Sequence, residues 1–293
     1  MPRPHAETAG RLATPLGGAW LLLGNAVRIA LSALYTGVVS GALLAVIYPR
    51  YWYGLLRART GRADVLDRML EANAALASWV AQALWSKVVL GLTGIRVHAR
   101  ASAPVDWSRR YVICANHASL FDILALIRTV PPPFRFVAKR EITRWPVFGW
   151  LLRPAGQIVV DRADRAGARR SVGEAAARHI AGQVIFFVEG TRSRTGVLLP
   201  FKKGAFHFAI ASGLPVLPAA IKGSFAALSR QPWWRLQPGN AIEVCFCEPV
   251  EPPSAGAADA VDQLLDVTRR RIAAALASEI AVSSERSLGR GNP

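Results

Sequence analysis

From Ile29 to Tyr48 the chain runs for 20 residues without a charged side chain. At about 1.5 Å per residue, a helix of that length reaches the roughly 30 Å hydrocarbon core of a bilayer. The run is too long and too far from the N-terminus for a secretory signal, and no small-residue cleavage site follows it. Arg50, Arg57, Arg59, Arg62 and Arg68 follow it, against Arg11 and Arg28 before it, so the positive-inside bias places the downstream chain in the cytoplasm. Tyr48, Tyr51, Trp52 and Tyr53 have the composition of an interfacial aromatic belt. Gly24, Gly37 and Gly41 leave open a hairpin that enters one leaflet and returns, and a buried core helix is the plainer alternative.

Residues 63–90 read as a second helix, entered through Asp64 and Asp67, whose carboxylates suit a helix N-terminus. Leu66, Leu70, Leu76, Val80, Leu84 and Val88 recur at helical spacing, so this helix packs on the domain or lies at a membrane surface.

Beyond residue 95 the pattern changes to short, punctuated elements, which excludes a multi-span transporter. Strands are expected over Ile95–Ala99, Tyr111–Ala115, Phe134–Ala138, Gln157–Val160, Val184–Val188, Pro215–Ile221 and Ala241–Cys247. Helical patterns fall over Ser119–Thr129, Val147–Leu152, Asp164–Ala181, Ala205–Ser212 and Asp259–Ser278. The alternation predicts an α/β fold, with a mixed, largely parallel sheet and flanking helices, preceded by an N-terminal membrane-associated helical segment. The expected division is a helical region at 1–94, a catalytic domain at 95–281 and a disordered tail at 282–293.

The charge is +17, from 36 Lys and Arg against 19 Asp and Glu, yet 52% of residues are hydrophobic, which excludes a disordered polyelectrolyte. Of the bases 31 are Arg, suited to bidentate grip on phosphate, and no like-charge run exceeds Arg269–Arg271. An anionic membrane surface or a phosphorylated substrate fits this better than nucleic acid, which is not expected as a partner. Cys114, Cys245 and Cys247 form no CxxC pair, so neither a disulfide framework nor a zinc site is expected, and a reducing compartment is the default. No metal-ligand cluster or nucleotide fingerprint is present, and no bound cofactor is expected.

Four segments carry chemistry, each at a strand end, where an α/β sheet binds its ligands. The first is Asn116-His117-Ala118-Ser119-Leu120-Phe121-Asp122. Five residues apart on one helix, His117 and Asp122 would point about 140° apart. They meet only if His117 lies on the strand-to-helix turn and Asp122 in the first helical turn. There the carboxylate fixes the imidazole tautomer and leaves the other nitrogen to act as a general base. Ser119-x-x-Asp122 is equally a capping box. In the second, Phe187-Val188-Glu189-Gly190-Thr191-Arg192-Ser193, Gly190 permits a tight turn and Arg192 offers a forked donor, unless the segment is an ordinary surface loop. The third runs from Phe136 to Glu141 and includes Lys139 and Arg140. The fourth, Gly213 to Pro218, is an apolar strand bracketed by prolines, with an ordinary edge strand as the plainer alternative.

Taken in order, NHASLFD, KREITRWPVFGW with GQIVVDR, FVEGTRSRTG with LLPFKKG, and GLPVLPAAI resemble the lysophospholipid acyltransferase family, most closely its bacterial 1-acylglycerol-3-phosphate acyltransferases. The resemblance spans roughly residues 95–225. It implies transfer of an acyl group from acyl-CoA or acyl carrier protein to the sn-2 hydroxyl of lysophosphatidic acid. His117 would be the general base and Asp122 its orienting partner. Lys139 and Arg192 would bind the acceptor's phosphate, Glu189, Gly190 and Thr191 would build that substrate loop, and Gly156, Asp161 and Arg162 would fill the segment between. Val188 stands where the family often has proline, which implies a local backbone change only. The same chemistry on another lysolipid, such as lyso-ornithine lipid, is an alternative, and a non-catalytic membrane-surface protein is one of another class. The implied setting is the cytoplasmic face of a bacterial inner membrane.

Overall fold

A computed structural model describes residues 15–160, 173, 176, 181–228, 235–253 and 259–278. The expected helix over 164–181 falls almost wholly outside them, as do Asp161, Arg162 and the tail at 282–293.

The first helix, α1 (Pro15–Arg59), is 45 residues long and runs unbroken through Gly24, Gly37 and Gly41. The chain reverses later, at Gly61, where φ is +83°. It returns as α2 (Ala63–Val80), a π-helical stretch (Ala81–Ser86) and α3 (Lys87–Thr93), which ends on the left-handed Gly94. The alternative of a hairpin turning at the glycines inside the apolar run is not what forms: that run is one continuous helix, paired with the helices that follow Gly61. Two helical stretches, Trp20–Arg59 and Ala63–Thr93, are long and apolar enough to cross a membrane.

The pair is fastened along its length to the rest of the protein. Asn25 Nδ2 donates to the Leu236 carbonyl at 2.7 Å, Asn73 Nδ2 to Pro154 at 3.0 Å and Gln82 Nε2 to Val130 at 2.8 Å. Buried Arg135 pairs with Glu71 at 2.8 Å. Ile47 is buried against Leu151 and Ala155. The opposite side of α1 stays apolar and exposed at Trp20, Leu23, Leu34, Val38 and Leu56.

Seven strands form one sheet: β1 (Arg96–Ala101), β2 (Val112–Ala115), β3 (Phe134–Lys139), β4 (Ile158–Val160), β5 (Gln183–Phe187), β6 (Val216–Lys222) and β7 (Ala241–Phe246). Their spatial order is β1-β7-β6-β2-β5-β3-β4, and every pairing is parallel except β6 with β7. All seven expected strands form, with ends shifted by a residue or two. The edge-strand alternative for Gly213–Pro218 is not observed. β6 is interior, and Pro218, which has no N–H to give, instead accepts the Cys247 N–H at 2.8 Å.

Alternating side chains feed two cores. Ile113, Ala115, Ile185 and Leu217 face α4 (Phe121–Thr129), with Val89 and Leu90 of α3 in the same cluster. Val112, Cys114, Val184 and Phe186 face the opposite layer. That layer holds α6 (Gly204–Ser212) and α8 (Ala260–Ala277), α7 being the single turn Ser224–Ala227. The helix expected over Val147–Leu152 forms as the one-turn α5 (Phe148–Leu151), preceded by a separate 3-10 turn (Arg140–Arg144).

Candidate active site

Parallel register brings three of the four motif segments to one end of the sheet; the fourth, Gly213 to Pro218, enters β6 at the other end, where Val216 lies opposite Val112 at the start of β2. Ala115, the last residue of β2, lies opposite Phe187, the last of β5, and opposite Ala219 of β6. The turns that leave β2 and β5 therefore start level with each other, and β3 ends at Lys139 on the same side.

His117 occupies the turn between β2 and α4, and Asp122 the first turn of α4. His117 Nδ1 and Asp122 Oδ2 are 2.8 Å apart, with Asp122 fully buried. An ionised carboxylate only accepts, so the shared proton sits on Nδ1 and Nε2 is the basic nitrogen. The same Oδ2 accepts the backbone N–H of Ala118 at 2.6 Å and of Ser119 at 2.7 Å. Capping and orientation are thus one interaction: the turn that Asp122 caps is the turn that presents His117. The N–H groups of Ala118 and Ser119 are already committed there, so an oxyanion at this edge must draw on other donors.

The loop after β5 grips the His117 backbone at both ends. Glu189 Oε1 accepts the His117 N–H at 2.7 Å, and the Ser193 N–H donates to the His117 carbonyl at 2.7 Å. Glu189 Oε2 accepts the Leu199 N–H at 2.8 Å, so its carboxylate faces the protein's own amides, and the residue is only 3% exposed. Burial first, and the nearby Asp122 charge after it, push the Glu189 carboxyl above its ordinary pKa. The amides of His117 and Leu199 and the Arg269 cation act in the opposite direction.

Gly190 turns this loop at φ +75°, with its N–H on the Phe187 carbonyl at 3.0 Å. Thr191 is exposed, Arg192 is half-buried beside it, and Lys139 is half-buried at the end of β3. The structure thus joins His117 directly to Asp122 and Glu189. Gly190, Thr191, Arg192 and Lys139 stand on the same rim.

Several supporting residues escaped the sequence reading. The Phe187 ring stacks on the His117 imidazole with centroids 3.9 Å apart and planes 16° apart, and Phe136 stacks behind Phe187 at 6.1 Å. Asn116 exchanges two hydrogen bonds with the Ile221 backbone, at 3.0 and 2.7 Å, tying the His117 turn to β6. Ser119 Oγ donates to the Leu228 carbonyl at 2.7 Å. Asn116 and Ser193 lie within the quoted segments, but their partners, Ile221 and His117, are remote in the chain. The aromatic stack joins β5, β3 and the turn after β2, and leaves no local signal.

Residues 94–222 match the family model described as Acyltransferase. The 1-acyl-sn-glycerol-3-phosphate acyltransferase of Salmonella typhimurium is 36% identical over 136 residues, 45% of this chain and 55% of that protein. Its counterpart from Cocos nucifera is 38% identical over 146 residues, 49% of this chain and 46% of that protein. The chain spans about half the length of the curated relatives it matches. The crystal structure of the 1-acyl-sn-glycerophosphate acyltransferase PlsC from Thermotoga maritima superposes with a TM-score of 0.56. It covers 87% of this chain and 99% of its own at 24% identity, a likeness of fold.

Proposed function

We propose, from the match of residues 94–222 to the acyltransferase family model, that this chain transfers an acyl group from an acyl thioester to the free hydroxyl of a lysophospholipid, with lysophosphatidic acid as the acceptor and phosphatidic acid as the product. The observation that carries this reading is the 2.8 Å contact between His117 Nδ1 and buried Asp122. It leaves Nε2 as a base at the rim of the sheet, beside two cationic segments.

In this reading His117 Nε2 takes the proton of the acceptor hydroxyl as its oxygen attacks the thioester carbonyl. The tetrahedral intermediate collapses, the C–S bond breaks, and the thiolate of coenzyme A or acyl carrier protein leaves with the proton from His117. Asp122 stabilises the imidazolium between these steps. The acceptor is itself the nucleophile, so no acyl-enzyme forms. Arg192 supplies a forked donor for the acceptor's phosphate and Lys139 a second charge. Gly190 and Thr191 shape the loop that presents Arg192, and Glu189 holds that loop to the base.

The helical pair supports a membrane setting. α1 is tied to the domain at Asn25 and again at Ile47, while its outer side is apolar. We place this outer side in the cytoplasmic leaflet of the inner membrane, where an amphipathic acceptor resides. The test is an assay of the purified full chain in lipid with acyl-CoA or acyl carrier protein against a panel of lysolipids, lysophosphatidate and lyso-ornithine lipid among them. Phosphatidic acid from lysophosphatidate is the expected product. Turnover of a different lysolipid alone would reassign the acceptor, and no turnover of any would overturn the reading.

A further inference from the structure

The C-terminal helix α8 lies outside the segment that matches the acyltransferase family, yet it reaches the active-site loop. Arg269 Nη1 donates to the Leu199 carbonyl at 3.0 Å, and its guanidinium lies 5.4 Å from the centroid of the Phe201 ring. The same Leu199 gives its N–H to Glu189 Oε2 at 2.8 Å, and Glu189 Oε1 takes the His117 N–H at 2.7 Å. One unbroken path of hydrogen bonds therefore runs from α8 through Leu199 and Glu189 to the backbone of the residue proposed as the base. A second tie, Lys203 to Asp262 at 2.7 Å, joins the end of the same loop to the first turn of α8.

We propose that Arg269 is a positioning residue for acyl transfer, holding the Leu199 peptide so that Glu189 can fix the His117 turn from the far side of the loop. Glu189 bridges two amides, and its carboxylate can hold His117 in place only while Leu199, its other anchor, is itself held. Residues 190–198 make a long connection between Glu189 and Leu199, and such a loop does not fix that distance alone. Arg269 closes the arrangement with a charged, planar donor that is packed over an aromatic ring, so little side-chain freedom remains to be lost. Its cation also favours the ionised form of Glu189, the form that accepts at both oxygens. A base displaced by a fraction of an ångström loses rate without losing substrate, because contact geometry at the reacting atoms counts more than binding.

This inference rests on the acyl-transfer reading for its kinetic consequence but not for its structural one, and the test reads both. Full-length wild type, Arg269→Ala, Arg269→Met and Arg269→Lys are compared in lipid by steady-state kinetics and by amide hydrogen exchange. In Arg269→Ala, kcat should fall about tenfold with the KM of the acyl donor unchanged, and exchange should rise at Leu199 and at His117. Arg269→Lys, whose ammonium can still donate to Leu199, should recover most of the rate and protection. Arg269→Met keeps the stem over Phe201 without a donor and should recover neither. Full recovery in Arg269→Met, or unchanged exchange at Leu199 and His117 in both Arg269→Ala and Arg269→Met, would overturn the proposal. If Arg269→Ala does not fold, the Met and Lys variants decide between packing and hydrogen bonding. A wild type inactive on every lysolipid would sink the acyl-transfer reading, while the exchange comparison would still decide the path.

Discussion

Glu189 accepts the backbone N–H of His117 at 2.7 Å from a loop that begins 72 residues later in the chain. The imidazole of the same residue turns the other way, to Asp122 at 2.8 Å. One carboxylate thus sets where the His117 backbone lies and another sets which nitrogen its ring presents. Ser193 completes the grip by donating to the His117 carbonyl.

The raised pKa of Glu189 has a sign that stability can read. Burial penalises its charge, so the folded protein holds this proton more tightly than the unfolded chain does, whose ordinary value is 4.5. A group of this kind contributes stability that is complete below its unfolded pKa and is lost as pH rises through the folded one. Glu189→Gln has no such group. The difference in Tm between wild type and variant, wild type minus Gln, should shrink as pH is raised from 4.5 toward neutrality. A difference that widens over that window contradicts the raised pKa.

Gly182 stands at the head of β5 with φ +79°, and a Cβ there would lie 1.9 Å from the Pro133 carbonyl oxygen. The left-handed backbone alone costs an L-residue about 1–2 kcal/mol, and the clash adds to it. Gly182→Ala should therefore lower the thermal midpoint of the whole domain. A Tm equal to that of wild type would mean that β3 and β5 are not held as close as described.

In the proposed reaction Arg192 would bind the acceptor's phosphate and not the thioester donor. Arg192→Ala should raise the KM for lysophosphatidate by about 10-fold or more, as loss of a charge-assisted hydrogen bond worth roughly 1.5–3 kcal/mol implies. The donor KM should be unchanged. A shift confined to the donor KM would move Arg192 to the thioester side.

Much of the arrangement was legible in the sequence, for identifiable reasons. β-branched runs such as Tyr111–Ala115 and Val184–Val188 become strands because both their faces are buried, and uninterrupted apolar composition records that. His117 and Asp122 were readable because the geometry of a strand-to-helix turn limits where a partner five residues away can lie. What stayed hidden depends on neighbours remote in the chain. β6 is an interior strand despite its prolines, because β7 returns antiparallel beside it and uses the Pro218 carbonyl. The reversal at Gly61, not at Gly37 or Gly41, follows from packing of α1 against α2. Glu189 reads as a loop carboxylate until Leu199 and His117 are seen to converge on it.

The central claim is that His117, held by Asp122, is the general base for attack on a thioester by a lysolipid hydroxyl. The most direct measurement is the rate of phosphatidic acid formation by His117→Ala beside wild type, in lipid, with lysophosphatidate and acyl-CoA saturating and the two proteins matched in Tm. A loss of about 10²–10⁴-fold in kcat is expected. A His117→Ala protein that keeps the wild-type rate would contradict it.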